Sequence, residues 1–199
     1  MQRTKELTDF LQTYRAERKN ARKEMIEESY QKMLPALTET IDHLIRNQTD
    51  IQETQAQRRI KYLCFFRLRS SGYTQSHEIA LAMADKRLYL DEAMDCIYWM
   101  PDVIHEEIEK DMEEAENLLT KAFIRLEKYE LFHIRQQLLS DDWELFCGVL
   151  PRLVKAIEGR ITDSSLFWED DLEVLCGGYM EEAETICHIY TKEVDTDGK

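Results

Sequence analysis

Glycine and proline are scarce in this sequence, with six glycines and three prolines among its 199 residues. Turn-rich β proteins use many residues of these two kinds, so their scarcity disfavours such a fold. Hydrophobic residues make up 43% of the chain, which is enough for a packed core. The composition predicts a mainly α protein, an irregular bundle of six or seven helices in a single domain over residues 1–199, from which residues 1–48 could extend as a helical arm.

Paired cysteines are missing as well. The five cysteines form no C-x-x-C pair, and four of them stand among apolar neighbours, where small buried thiols are common. We expect all five to be reduced and structural, and a chain of this length needs no disulfide or metal for stability.

Long apolar runs are also absent. No run approaches the roughly 20 residues that span a bilayer, and the first ten residues, MQRTKELTDF, are too polar for a signal segment. The sequence therefore predicts a cytoplasmic protein that does not bind membranes.

No signature of catalysis stands out. The sequence has no G-x-S-x-G elbow, no glycine-rich phosphate loop and no cysteine beside an evident base. These absences favour a protein that is not an enzyme and binds no cofactor.

Apolar residues recur at steps of three and four along most of the chain, which predicts helices. We expect helices over about 4–48 with a joint near Met33, caused by Pro35, then over 50–70, 91–99, 101–139, 141–159 with a kink at Pro151, and from 164 onward. The expected core includes Phe65, Phe66, Leu119, Leu126, Phe146 and Leu175.

Residues 78–90 are the exception to the helical pattern. Ile79, Leu81 and Met83 alternate with alanines, which is the period of a strand. We expect a small β-hairpin there with Leu88–Leu90 as the returning strand, although the helix propensity of alanine leaves a helix open.

Part of the chain resembles a family of Firmicutes proteins. The resemblance depends on Tyr62–Arg69 (YLCFFRLR), Asp85–Glu92 (DKRLYLDE) and the aromatic pair Tyr98–Trp99. No activity is known for that family, so the resemblance implies none for this chain.

Charge is distributed unevenly. Residues 1–69 hold 14 Lys and Arg against 10 Asp and Glu, whereas residues 70–199 hold 12 against 30. The net charge of −14 disfavours nucleic acids and anionic membranes, because both are bound through cationic side chains. A basic protein is the partner that this charge favours.

Eight acids crowd residues 101–116, and four of them follow one stripe of the predicted helix: Asp102, Glu106, Glu109 and Glu113. A solvated helix face explains this acidic stripe, and a docking surface for a basic protein is the functional alternative. We predict the docking surface, with residues 169–173 contributing further acids. An immunity-type or antitoxin-like inhibitor would fit, because charge complementarity speeds the capture of a basic effector.

Two other functions remain open. Glu130 and His133 match the Glu-x-x-His pattern of metal-binding bundles, and Glu184 with His188 matches it in part. The second candidate function is therefore a metal-binding helical-bundle enzyme or storage protein. His133 falls on the apolar face of the helix predicted over 101–139, which favours a histidine of the core instead of a metal ligand.

The basic residues between Arg15 and Lys23 offer a third function, a nucleic-acid-binding regulator. Three interpretations of these residues are open. The sequence favours a solvated helix first, a strap against acidic residues second, and a phosphate contact third. The sustained apolar seams permit a homodimer, but an intramolecular partner explains them equally.

Overall fold

The computed structural model describes residues 2–190 and has a mixed α/β architecture. Its helices are α1 (Gln2–Phe10), α2 (Gln12–Ser29), α3 (Leu34–Thr54), α4 (Arg69–Thr74), α5 (Asp102–His105), α6 (Ile108–Ala122) and α7 (Lys128–Thr162). Its strands are β1 (Ile60–Arg67), β2 (Ile79–Ala84), β3 (Asp95–Trp99), β4 (Trp168–Gly178) and β5 (Ala183–Tyr190). The predicted mainly α bundle is therefore wrong.

The chain divides into two compact units, each built from two separate stretches of sequence. The helical unit contains residues 2–33 and 101–149, and the sheet unit contains residues 34–100 and 150–190. Helix α7 contributes its first part to the helical unit and its last part to the sheet unit. The prediction of a single domain stays a prediction.

The helical unit is held by one apolar cluster from α1, α6 and the first part of α7. Leu7 on α1, Leu119 on α6 and both Ile134 and Leu138 on α7 are completely buried in it. These residues recur at helical spacing, so each helix presents a single apolar stripe to the cluster.

The helix predicted over 101–139 is interrupted twice. The first break is at Glu106 and Glu107, and the second is the connection 123–127, where Phe123 adopts an extended backbone. Beyond it α7 runs without interruption from Lys128 to Thr162, so the predicted helix start at Asp141 is wrong, and Pro151 lies inside the helix without ending it. The joint predicted near Met33 is confirmed by the 3-10 turn Tyr30–Met33 that precedes α3.

The sheet unit contains a five-stranded mixed sheet in the order β3-β2-β1-β4-β5. Strands β1 and β4 are parallel, and the other neighbouring pairs are antiparallel. Along β1 the side chains alternate between faces, so Leu63 and Phe65 point one way while Cys64 and Phe66 point the other. All four are completely buried, because both faces of this central strand are covered.

Three regions predicted as helices are strands. The aromatic block that contains Phe65 forms β1, residues 95–99 form β3, and the C-terminal segment from Trp168 forms β4 and β5. The predicted hairpin is right about β2, but the partner strand is β3, and Leu88–Leu90 is a 3-10 turn.

A buried ion pair fixes the connection between β2 and β3. Asp91 accepts a hydrogen bond from Arg58 at 2.5 Å and two more from the backbone amides of Asp85 and Ala93. The side chains of Arg58 and Asp91 are 2% and 0% exposed. The connection is thereby held so that Tyr89 packs on Phe66.

The predicted core residues are mostly confirmed. Phe65, Phe66, Leu119, Phe146 and Leu175 are buried, whereas Leu126 is half-buried at the edge of the helical unit's cluster. None of the five cysteines forms a disulfide bond within residues 2–190, and their reduced, structural role stays a prediction.

Candidate functional site

The acidic stripe lies on the surface of the helical unit. Asp102 belongs to α5, Glu106 follows it, and Glu109 and Glu113 belong to α6. All four side chains are exposed. The stripe is therefore divided between two helices rather than carried by one.

One member of the stripe is neutralised. Glu109 receives two hydrogen bonds from Arg135 on α7, at 2.5 and 2.8 Å. These bonds raise the pKa of Arg135, whose side chain is only 14% exposed. Asp102, Glu106 and Glu113 form no ion pair with any residue between 2 and 190, so three of the four carboxylates have no cationic partner in the described part of the chain.

A groove between α6 and α7 adjoins the stripe. Its volume is about 410 Å³, and we call it the acidic groove. It is lined by Glu109, Met112, Glu113, Glu116, Lys128, Leu131, Phe132 and Arg135. Sequence reasoning missed the contribution of α7, since Arg135 is 26 residues from the carboxylate that it binds and no local pattern connects the two.

The three arginines of α2 form ion pairs inside the helical unit. Arg18 binds both Asp111 and Asp142 at 2.8 Å, and Arg22 binds Asp111 at 2.6 Å. Arg15 also donates two hydrogen bonds to Asp141. The segment thus acts as a strap rather than the solvated helix that the sequence favoured, and these guanidinium groups are already occupied by carboxylates.

The predicted metal ligands have other contacts. Glu130 accepts a hydrogen bond from the backbone amide of Glu127 at 2.9 Å and one from Arg3, so it caps the start of α7. His133 Nε2 lies 3.0 Å from the side-chain nitrogen of Gln137. These residues belong to the helical unit.

Glu184 and His188 lie on β5 of the sheet unit rather than on a helix. The Nδ1 atom of His188 is 2.9 Å from a carboxylate oxygen of Asp171. Throughout residues 2–190, no three His, Cys, Asp or Glu side chains are grouped so as to hold a metal ion.

The further acids predicted at residues 169–173 lie on β4. Asp171 and Glu173 both bind Lys61, at 2.5 and 3.0 Å. The hydrogen bond from Lys61, with a second from His188, lowers the pKa of Asp171. These two acids are therefore partly neutralised, unlike most of the acidic stripe.

Comparison with known proteins gives no relative: no family model, curated protein or solved structure matches the chain. Across the described residues, every helix is too short or too polar to cross a bilayer. The function must therefore be argued from the chain's own surface.

Proposed function

We propose that this chain is a noncatalytic cytoplasmic protein that binds a basic protein partner through its acidic stripe and the adjoining acidic groove. The observation that carries the proposal is the contrast between two sets of charges. The three arginines of α2 are paired with carboxylates of the helical unit, whereas Glu106, Glu113 and Glu116 are exposed and form no ion pair within residues 2–190.

Unpaired carboxylates in a row favour cationic partners for two reasons. Like charges at helical spacing repel one another, so an approaching cation relieves a small intrinsic cost. Complementary charge also accelerates encounter and selects against acidic proteins. An inhibitor that captures a basic effector, as immunity proteins and antitoxins do, would benefit from both effects.

The cytoplasmic location is part of the proposal. Five cysteines outside disulfide bonds, among them the buried Cys64, are characteristic of proteins in a reducing compartment.

The test compares two charge-reversal variants that change the net charge equally. The first carries Glu106→Lys, Glu113→Lys and Glu116→Lys, which reverses the exposed acids and leaves the Glu109–Arg135 pair intact. The matched control carries Glu24→Lys, Glu28→Lys and Glu53→Lys, three exposed positions outside the groove.

Each immobilised protein is exposed to an extract of the source cell at increasing salt, and the bound proteins are identified by mass spectrometry. We expect the parent and the control to retain the same basic protein at low salt and the variant with Glu106→Lys, Glu113→Lys and Glu116→Lys to lose it. Retention of the same proteins by both variants, or binding that is indifferent to salt, would contradict the proposal.

A further inference from the structure

The acidic groove has the geometry of a receptor for a third helix. Helices α6 and α7 run antiparallel along it, because Glu109 lies opposite Arg135 and the groove also brings Glu116 near Lys128. The interval from Glu109 to Glu116 corresponds to about 10 Å of helix. Side chains of an incoming helix fit between two such helices in the same way as ridges fit into grooves in helix packing.

The floor and the walls of the groove differ in chemistry. Met112, Leu131 and Phe132 supply apolar surface, and Met112 continues into the buried cluster of the unit. Glu113 and Glu116 form one wall and have no ion pair among the described residues. Two cations, Lys128 and Arg135, also line the groove, and Arg135 is paired with Glu109. An occupant therefore needs an apolar face for the floor and cations placed to face Glu113 and Glu116.

The two ends of the groove are also different. At one end the bidentate pair between Glu109 and Arg135 joins the helices. The other end adjoins the connection 123–127, where the side chain of Ile124 is fully exposed. Further apolar surface is thus available to an occupant that extends past Glu116.

Resting on the proposed function, we infer that the groove binds an amphipathic basic helix of the partner, with apolar residues one turn apart on the floor and Lys or Arg facing Glu113 and Glu116. Helix-in-groove recognition uses anchors at positions i, i+3, i+4 and i+7. The carboxylates of α6 follow the same helical spacing, so a cationic stripe on the occupant can face them in register.

The probes are three synthetic peptides, and the receptor is the full chain. The first peptide consists of leucine and lysine spaced to give a helix with one apolar face. The second has the same composition in an order that spreads the leucines around the helix, and the third is polylysine. Binding is measured by titration calorimetry, and helix formation on binding is measured by circular dichroism.

We expect the amphipathic peptide to bind at least about tenfold more tightly than the scrambled peptide and to become helical. Leu131→Gln should lower the affinity for the amphipathic peptide about tenfold without changing the affinity for polylysine. Leu145→Gln, at a half-buried leucine of α7 outside the groove, is the matched control and should leave all three peptides unchanged.

A gain-of-binding variant guards against misfolding as an explanation. Lys128→Glu replaces the cation at the exposed first position of α7, where an acid suits the helix dipole. Lys128→Glu should raise the affinity for the amphipathic peptide several-fold. Lys121→Glu, at an exposed position of α6 that does not line the groove, should raise it less.

The outcomes separate the two proposals. Equal affinity for the amphipathic and scrambled peptides would overturn the inference of a helix receptor, and so would the absence of any effect of both Leu131→Gln and Lys128→Glu. If polylysine still bound in either case, the acidic docking surface would remain supported. Failure of all three peptides to bind, together with failure of the extract experiment, would overturn both.

Discussion

At the scale of single residues, Asp91 shows how a buried charge determines local structure. Burial by itself would raise the pKa of Asp91, but hydrogen bonds from Arg58 and from the amides of Asp85 and Ala93 outweigh it, so the pKa lies below its usual value. The folded protein therefore binds a proton at Asp91 less readily than the unfolded chain does. Its contribution to stability is present above the unfolded pKa of about 4 and is lost as the pH falls through the folded value.

This sign gives a prediction for Asp91→Asn. At pH 7 the substitution removes the 2.5 Å carboxylate contact of the buried Arg58 and leaves Asp85, at 3.7 Å, as its remaining anion, so it should reduce the free energy of unfolding by about 2 kcal/mol. The deficit relative to the parent should shrink as the pH falls below about 4. Urea denaturation at a series of pH values measures both effects.

Asp170→Asn is the control for this prediction, because Asp170 is exposed and has no ion pair with a described residue. It should change the free energy of unfolding by no more than about 0.5 kcal/mol. A deficit for Asp91→Asn that stayed constant down to acid pH would show that its charge does not contribute as argued.

At the scale of elements, α7 carries two glycines that its own packing does not require. A Cβ atom at Gly148 would have no neighbour within 4 Å, and at Gly159 the nearest atom is a carboxylate oxygen of Asp163 at 4.0 Å. Glycine inside a helix costs stability relative to alanine, because it loses more backbone freedom on folding. Gly148→Ala and Gly159→Ala should therefore each stabilise the protein by about 0.5–1 kcal/mol, an increase visible in thermal denaturation.

Gly177 in β4 supplies the opposite case. A Cβ atom there would lie 2.6 Å from the Cα of Ala183 on the neighbouring strand, so Gly177→Ala should destabilise the sheet. Destabilisation by Gly159→Ala would instead mean that α7 is under a constraint that its surroundings do not reveal.

The central strands explain why the sequence misled the prediction of the sheet. In β1, four consecutive residues from Leu63 to Phe66 are completely buried, so no alternation of apolar and polar residues distinguishes the strand from a helix. In β4, Trp168, Leu172 and Leu175 happen to fall at helical spacing although the chain is extended. The strand β2 was recognisable because Ile79, Leu81 and Met83 alternate with alanines, even though both faces are covered.

The candidate site was predictable only in part, for a similar reason. Helical spacing correctly placed Glu109 and Glu113 on the exposed face of α6, whereas Glu106 is exposed in the break that precedes this helix. The connection 123–127 contains no glycine or proline, the residues that usually mark the end of a helix. The sequence therefore did not predict that α7 reverses direction and packs along α6. Without that fold, Leu131 and Phe132 had no visible relation to the acids, and neither did the groove.

At the scale of the whole molecule, negative charge is widespread. The described residues of the helical unit carry a net charge of −6 and those of the sheet unit −7, within a chain total of −14. A general field of this sign attracts any polycation. Under the proposed function, specific recognition is assigned to the acidic groove, where carboxylates adjoin apolar surface.

The kinetics of binding should separate the general field from the groove. For the leucine–lysine helix, the association rate should fall as salt rises, because exposed charges are screened beyond about 10 Å at 0.1 M ionic strength. Leu131→Gln should mainly increase the dissociation rate, since the floor contacts form only after docking. Both rates are measured by stopped-flow fluorescence with a labelled peptide.

The two triple variants distinguish local from global electrostatics, because each changes the net charge by the same amount. The variant with Glu106→Lys, Glu113→Lys and Glu116→Lys should slow association more than the control with Glu24→Lys, Glu28→Lys and Glu53→Lys. Steering falls off with distance from the docking site, so reversing nearby charges has the larger effect. Equal slowing by the two variants would mean that the whole negative surface, rather than the acidic groove, guides the encounter.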